Sequence, residues 1–170
     1  MSSITLSDLE FIDRETLAST FTPSTSEATG AQPKRSLPAS TAIIDVRDSD
    51  HIGGHIRGST WVPSSDLDFK LPELLRTLQD KETVVFHCAL SQQRGPSAAL
   101  RYLREKERVE SKGEVKEEGE GVEKAEEGKE GGKKQKVVVL KGGFTEWQEK
   151  YGMDEELTEG YKKDVWEFGS

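Results

Sequence analysis

Two residues of this chain have the types and the spacing for covalent chemistry on an anion. Cys88 and Arg94 are separated by five residues in the run His87-Cys88-Ala89-Leu90-Ser91-Gln92-Gln93-Arg94-Gly95-Pro96. The β-branched run Thr83-Val84-Val85-Phe86 leads into it. Pro96 opens a helical pattern, because a proline's missing N–H costs least in a first turn. The loop therefore joins a strand to a helix N-terminus, where unpaired N–H groups and the positive dipole end attract negative charge. The backbone amides of Ala89, Leu90, Ser91, Gln92, Gln93 and Arg94 can turn inward as a cradle for a tetrahedral oxyanion. The Arg94 guanidinium offers a fork for two of its oxygens. The same field draws a thiol pKa from about 8.5 into the range of about 3.5 to 7.5, so Cys88 is expected as a thiolate nucleophile. A thiolate so placed attacks bound phosphorus, and water then hydrolyses the phosphocysteine. Ser91 is expected to donate its hydroxyl proton to the sulfur. A lone cysteine at a strand end also serves as a small buried hydrophobe. Here the preceding strand, Arg94 and Gly95-Pro96 together favour the catalytic reading.

Composition narrows what else the chain can be. Cys88 is the only cysteine, so one chain can build neither an internal disulfide nor a cysteine-based metal site. The three histidines, His51, His55 and His87, show no metal-ligand spacing, and no metal is expected. The formal charge of −8 argues against a nucleic-acid partner, which requires a basic face. No apolar stretch reaches the roughly 20 residues of a membrane helix, and residues 1–30 lack a secretory signal pattern. A soluble protein of the cytoplasm, the nucleus or both is expected.

The elements that must position Cys88 and Arg94 follow from the apolar patterning. At 170 residues the length suits a single domain. Charged residues reach 33% against 32% hydrophobic, a balance too polar for a uniformly compact globule. The polarity is concentrated in 104–136, a low-complexity insertion in which 10 Lys/Arg nearly balance 11 Glu. It reads as a solvated disordered segment that prolongs the preceding helix by a turn, or else as a docking or regulatory segment. Residues 5–18 carry Leu6, Leu9 and Ile12 at helical spacing and predict an amphipathic helix. Residues 19–40 are rich in Ser, Thr and Pro and predict a loop. Buried strands are predicted at 41–46, 83–86 and 137–140, with a short one at 61–63. Helices are predicted at 67–80, 96–105 and 144–150. Strands alternating with helices predict an α/β fold, a mostly parallel central sheet with helices on both faces.

The segment VVFHCALSQQRGPSAALRYL closely resembles the active-site segment of the rhodanese-like phosphatases, the group of the Cdc25 dual-specificity phosphatases and related arsenate reductases. Three further segments agree: Ile44-Asp45-Val46-Arg47, Gly54-His55-Ile56-Arg57-Gly58-Ser59, and Leu140-Lys141-Gly142-Gly143-Phe144 with Trp147. The likeness to small single-domain fungal members is the nearest. It implies a rhodanese-like domain over 1–170, with an opening strand and helix within residues 1–21. It also implies that C-x5-R, one residue longer than the sulfurtransferase loop, is sized for phosphate or arsenate. Asp45 and Arg47 are implied as a support pair under the loop, and His55 as a structural histidine holding a turn. Where the cell-cycle phosphatases carry Glu-Phe, this chain has Ala89-Leu90, so that acid is missing. Asp45, Asp48 and Asp50 are candidates for a general acid by proximity alone, and a structural role is favoured for each.

Other residues are read as framework. His87 is expected to shape the loop, His51 to be exposed, and Phe144 and Trp147 to lie in the core. Asp154, Glu155, Glu156 and Glu159 read as a solvated face. Trp166 and Phe168 either pack back on the domain or contact a partner. The leading expectation is a cysteine-dependent phosphatase for phosphoprotein or small oxyanion substrates, without a cofactor. The alternatives are an arsenate reductase drawing thiols from glutathione or glutaredoxin, and a non-catalytic rhodanese-like binding module.

Overall fold

The computed structural model describes residues 4–23, 35–117 and 135–168. Five strands, β1 (Glu10–Ile12), β4 (Thr41–Asp45), β6 (Thr60–Trp61), β7 (Thr83–His87) and β8 (Lys136–Leu140), form one sheet. Its order is β1-β8-β7-β4-β6, and every neighbouring pair is parallel. Two small antiparallel pairs lie outside it: β2 (Thr22–Pro23) with β3 (Arg35–Ser36), and β5 (His55–Ile56) with β9 (Thr158–Glu159).

The three central strands are buried β-branched runs whose residues alternate between two apolar layers. Ile44, Val84, Phe86, Val137 and Val139 face α2 (Leu67–Thr77) and α3 (Arg94–Glu117). Leu67, Leu71, Leu74, Ala98, Ala99 and Tyr102 complete that layer. Ile43, Val85, Val138 and Leu140 face the other way, onto Leu17 and Ala18 of α1 (Arg14–Ser19) and Phe144 and Trp147 of α4 (Gly143–Tyr151). Helices thus cover both faces of an α/β sheet, as a parallel sheet requires. Among the described residues no helix is long and apolar enough to cross a membrane.

The helix expected over 5–18 is corrected. Leu6–Asp8 forms a 3₁₀ turn, Glu10–Ile12 is edge strand β1, and only Arg14–Ser19 is helical. Leu6 and Phe11 are exposed, and β1 is held by pairing with Val138–Leu140, a partner remote in sequence. Asp13 starts α1 by accepting the Thr16 N–H at 2.8 Å, as an N-cap does. The loop expected over 19–40 contains the β2–β3 pair, and its residues 24–34 lie outside the described ones. Helix α3 starts at Arg94, two residues before the proline, and runs to Glu117, well beyond the expected extra turn. Lys106–Glu110 and Glu105–Arg108 pairs support that extension at helical spacing. The rest of the insertion, 118–134, lies outside the described residues. A short helix α5 (Lys163–Phe168) ends the described chain.

The acidic end is less free than expected. Asp154 and Glu156 pair with Arg35, and Glu159 with His55. Trp166 packs back on the domain, its ring centroid 5.5 Å from Phe144 and its Nε1–H donating to the Gly53 carbonyl at 3.0 Å. The Phe168 side chain lies outside the described ones.

Candidate active site

The loop from Cys88 to Gln93 leaves the C-terminal end of β7 and enters α3 at Arg94. Cys88 is buried, whereas Leu90, Gln92 and Gln93 are exposed. Ser91 takes a left-handed backbone conformation, φ +57°, which folds the loop back on the sulfur. Its N–H donates to Cys88 Sγ at 3.2 Å. Its hydroxyl accepts from the Cys88 N–H at 3.4 Å, so the sulfur's partner is the Ser91 amide and not the hydroxyl. Among the described residues, no protein acceptor takes the N–H groups of Ala89, Leu90, Gln92 or Gln93. Those amides are open to an acceptor from outside the described residues. Gly95 allows α3 to begin against the strand, since a Cβ there would meet His87 Cα at 3.2 Å and Ser91 Oγ at 3.3 Å.

From below, the loop is held by backbone. The first turn of α4 donates Phe144 N–H to the Cys88 carbonyl at 3.0 Å and Thr145 N–H to the Ala89 carbonyl at 2.8 Å. That approach requires Gly143, whose φ is +61° and whose Cβ position lies 2.4 Å from the Ala89 carbonyl oxygen. His87 is fully buried and donates Nδ1–H to the same Cys88 carbonyl at 3.0 Å. Its Nε2 has no hydrogen-bond partner and lies 3.9 Å from an Asp45 oxygen. Burial pushes the His87 pKa below its ordinary value, so the ring is neutral at pH 7.

Asp45 and Arg47 are both fully buried and ion-paired to each other. Arg47 Nη2–H donates to Asp45 Oδ2 at 2.7 Å and to the Gly54 carbonyl at 2.8 Å, and Nε–H donates to both Asp45 oxygens. The Arg47 guanidinium also lies 4.4 Å over the Phe144 ring. Burial raises the Asp45 pKa, but His87 and Arg47 more than reverse that and leave it below the ordinary value. His51, expected to be exposed, is instead largely covered: it stacks on Trp61 with ring centroids 4.3 Å apart. Burial lowers its pKa as well. His55 lies in β5 with Nε2 at 3.1 Å from Glu159.

Arg94 stands at the mouth of the loop, its side chain one-third exposed. Two carboxylates hold it: Asp50 takes Nη1–H at 2.9 Å and Nη2–H at 2.6 Å, and Asp48 takes Nη1–H at 3.2 Å. Its hydrogen bond to Arg94 draws the Asp50 pKa down to about 2. That of Asp48 is lowered chiefly by the Ser64 hydroxyl and further by the Ser65 N–H and Arg94. Both are therefore ionised acceptors and not proton donors. Sequence reasoning placed these aspartates nearby but not on Arg94. The signal available was only their place just after β4, in the turn at the C-terminal edge of the sheet. Beside the loop lies a recess of about 570 Å³, walled by Ser91, Gln92 and Gln93 on one side and by Leu6, Leu9 and Phe11 on the other. Among the described residues no group of three His, Cys, Asp or Glu side chains gathers to hold a metal ion.

Residues 30–150 match the rhodanese-like domain family. The chain is 37% identical over 135 residues to the CDC25-like phosphatase YCH1 of Saccharomyces cerevisiae, covering 73% of this chain and 76% of that protein. It is 36% identical over 108 residues to arsenate reductase 2.2 of Oryza sativa subsp. japonica, covering 63% and 68%. Among solved structures it is similar to Ygr203w, a yeast protein tyrosine phosphatase of the rhodanese family. That likeness has a TM-score of 0.64 and 32% identity, and covers 96% of this chain and 99% of that one.

Proposed function

The chain belongs to the rhodanese-like domain family, and on that premise we propose that it is a cysteine-dependent phosphatase for phosphotyrosine or phosphothreonine esters. The observation that carries this reading is the Cys88 loop itself. The sulfur lies at a helix N-terminus with the Ser91 N–H directed at it, loop amides that no described acceptor takes beside it, and Arg94 partly exposed at the start of the helix. In the first step the Cys88 thiolate forms a sulfur–phosphorus bond while the bond from phosphorus to the leaving oxygen breaks. The loop amides and Arg94 take up the charge on the remaining oxygens. In the second step water attacks phosphorus, the sulfur–phosphorus bond breaks, and inorganic phosphate and the thiolate are released. The relatives named as phosphatases support the same reading.

Hydrolysis of p-nitrophenyl phosphate by the wild type and Cys88→Ser tests it. Turnover should fall by about three orders of magnitude or more in the serine variant, since the nucleophile itself is removed. Equal turnover by both would end the proposal. The rice relative favours a second reading, arsenate reduction, in which the same thiolate binds arsenate. Because Cys88 is the only cysteine, the thiol that resolves the adduct must then come from outside the chain. Arsenate reduction coupled to glutathione and glutaredoxin, with negligible phosphate hydrolysis, would favour that reading.

A further inference from the structure

Arg94 carries five N–H donors in a rigid fork. Asp50 occupies the end-on pair, one proton on Nη1 and one on Nη2, and Asp48 takes the second proton of Nη1. Two parallel donors are left on one lateral edge: the Nε–H and the outer proton of Nη2. Among the described residues no acceptor takes the Nε–H. A lateral edge of this kind matches two oxygens of a tetrahedral anion. The carboxylates are themselves anchored. Asp50 Oδ1 accepts the Asp48 N–H at 2.8 Å, and Asp48 accepts from the Ser64 hydroxyl and from the Ser65 N–H at 3.1 Å. The loop after β4 and the turn before α2 thus fix the guanidinium in rotation as well as in position.

We propose that Asp50, braced by Asp48, is the positioning residue of the site. It consumes the end face of Arg94 and presents the lateral edge to the oxyanion bound over Cys88. This rests on the reading of the Cys88 loop as an oxyanion site. The arrangement has an opposing electrostatic effect, because two carboxylates near an anion repel it. Losing Asp50 therefore disorders the fork while easing the approach of substrate. The expected signature is a fall in kcat with little change in KM.

The test compares wild type, Asp50→Asn, Asp50→Glu, Arg94→Lys and the double variant Asp50→Asn/Arg94→Lys on p-nitrophenyl phosphate. Thermal midpoints are recorded for each. Asp50→Asn should lower kcat by about 10- to 100-fold, the scale of a small misplacement of a catalytic group. KM should stay within about twofold, and Asp50→Glu should recover part of the loss. In the Arg94→Lys background, Asp50→Asn should cost no more than about twofold, because a residue acting only through Arg94 has nothing left to act on. A full additional loss in that background overturns the proposal. So does an Asp50→Asn enzyme with unchanged kcat and a lower KM, which would mark the aspartates as a brake on anion binding. Calorimetric titration with tungstate, a tetrahedral oxyanion that needs no turnover, separates the two levels of inference. If the wild type binds tungstate without hydrolysing ester, the phosphatase reading fails while the oxyanion site stands, and Asp50→Asn binding tungstate within about twofold of wild type still agrees with positioning, because lost orientation and eased approach offset each other. Tungstate binding at least tenfold tighter in Asp50→Asn overturns it, because the aspartates then act only to repel the anion.

Discussion

Two arginines flank the Cys88 loop, one beneath it and one at its end, each paired with aspartate, and they differ in what is left over. Arg47 is fully buried, and Asp45, Gly54 and Ile52 take its donors while Phe144 lies across its face. Arg94 is one-third exposed, and among the described residues its two carboxylates leave a lateral edge uncommitted. A buried guanidinium with all three nitrogens hydrogen-bonded is framework, since moving it would strand a buried charge. One with donors to spare at the surface can meet a ligand. Accessibility and residual hydrogen-bonding capacity, and not charge, separate support from function here.

Removing the buried member should have the largest effect. Arg47→Ala leaves Asp45 ionised and unpaired in the core, which costs about 3–5 kcal/mol of folding stability. Urea denaturation would register this as a lower midpoint, and a midpoint near wild type would contradict the framework role. Arg94→Lys should show the opposite pattern. The lysine cannot make a bidentate contact, so kcat/KM for p-nitrophenyl phosphate should fall about 10²- to 10³-fold. Its stability should stay within about 0.5 kcal/mol of wild type, as expected of a partly exposed position.

Acid separates the two clusters in the same order. His87 is neutral when folded because burial lowers its pKa, yet in the unfolded chain it titrates near the ordinary value of about 6.5. The unfolded state therefore binds more protons as pH falls below about 6.5, and stability is lost there by at most about 1.4 kcal/mol per pH unit for this proton. His87→Gln should flatten the decline in thermal midpoint between pH 7 and 5, and an unchanged slope would assign the decline elsewhere. The Asp50 pair responds later, since its lowered carboxyl contributes stability above the unfolded value and loses it only as pH approaches about 2. Arg101, whose ion pair with Asp68 at 3.3 Å is exposed on both sides, supplies the control. Arg101→Ala should change stability by no more than about 0.5 kcal/mol and leave turnover unchanged.

Much of this contrast is legible in the sequence. Strand-forming runs at 41–46, 83–86 and 137–140 are continuous and β-branched, so burial on both faces follows from composition alone. Cys88 and Arg94 announce themselves by type and spacing. Residues 5–18 misled because Leu6, Leu9 and Ile12 fall at helical intervals, whereas the segment's structure is decided by pairing of Glu10–Ile12 with Val138–Leu140, more than 120 residues away. The attachment of Arg94 to Asp48 and Asp50 was hidden for the same reason. It depends on two loops meeting at the end of the sheet, 44 and 46 residues apart in sequence. His51 looked exposed because nothing local predicts that Trp61 would stack over it.

Gly143 and the first turn of α4 secure the Cys88 and Ala89 carbonyls by hydrogen bonds from backbone N–H groups. Ala89 and the half-exposed Leu90 are thereby released from structural duty, and their identities can drift while the loop keeps its shape. A site built in this way can be retuned: its selectivity is written in a few interchangeable side chains over a backbone whose form is fixed elsewhere.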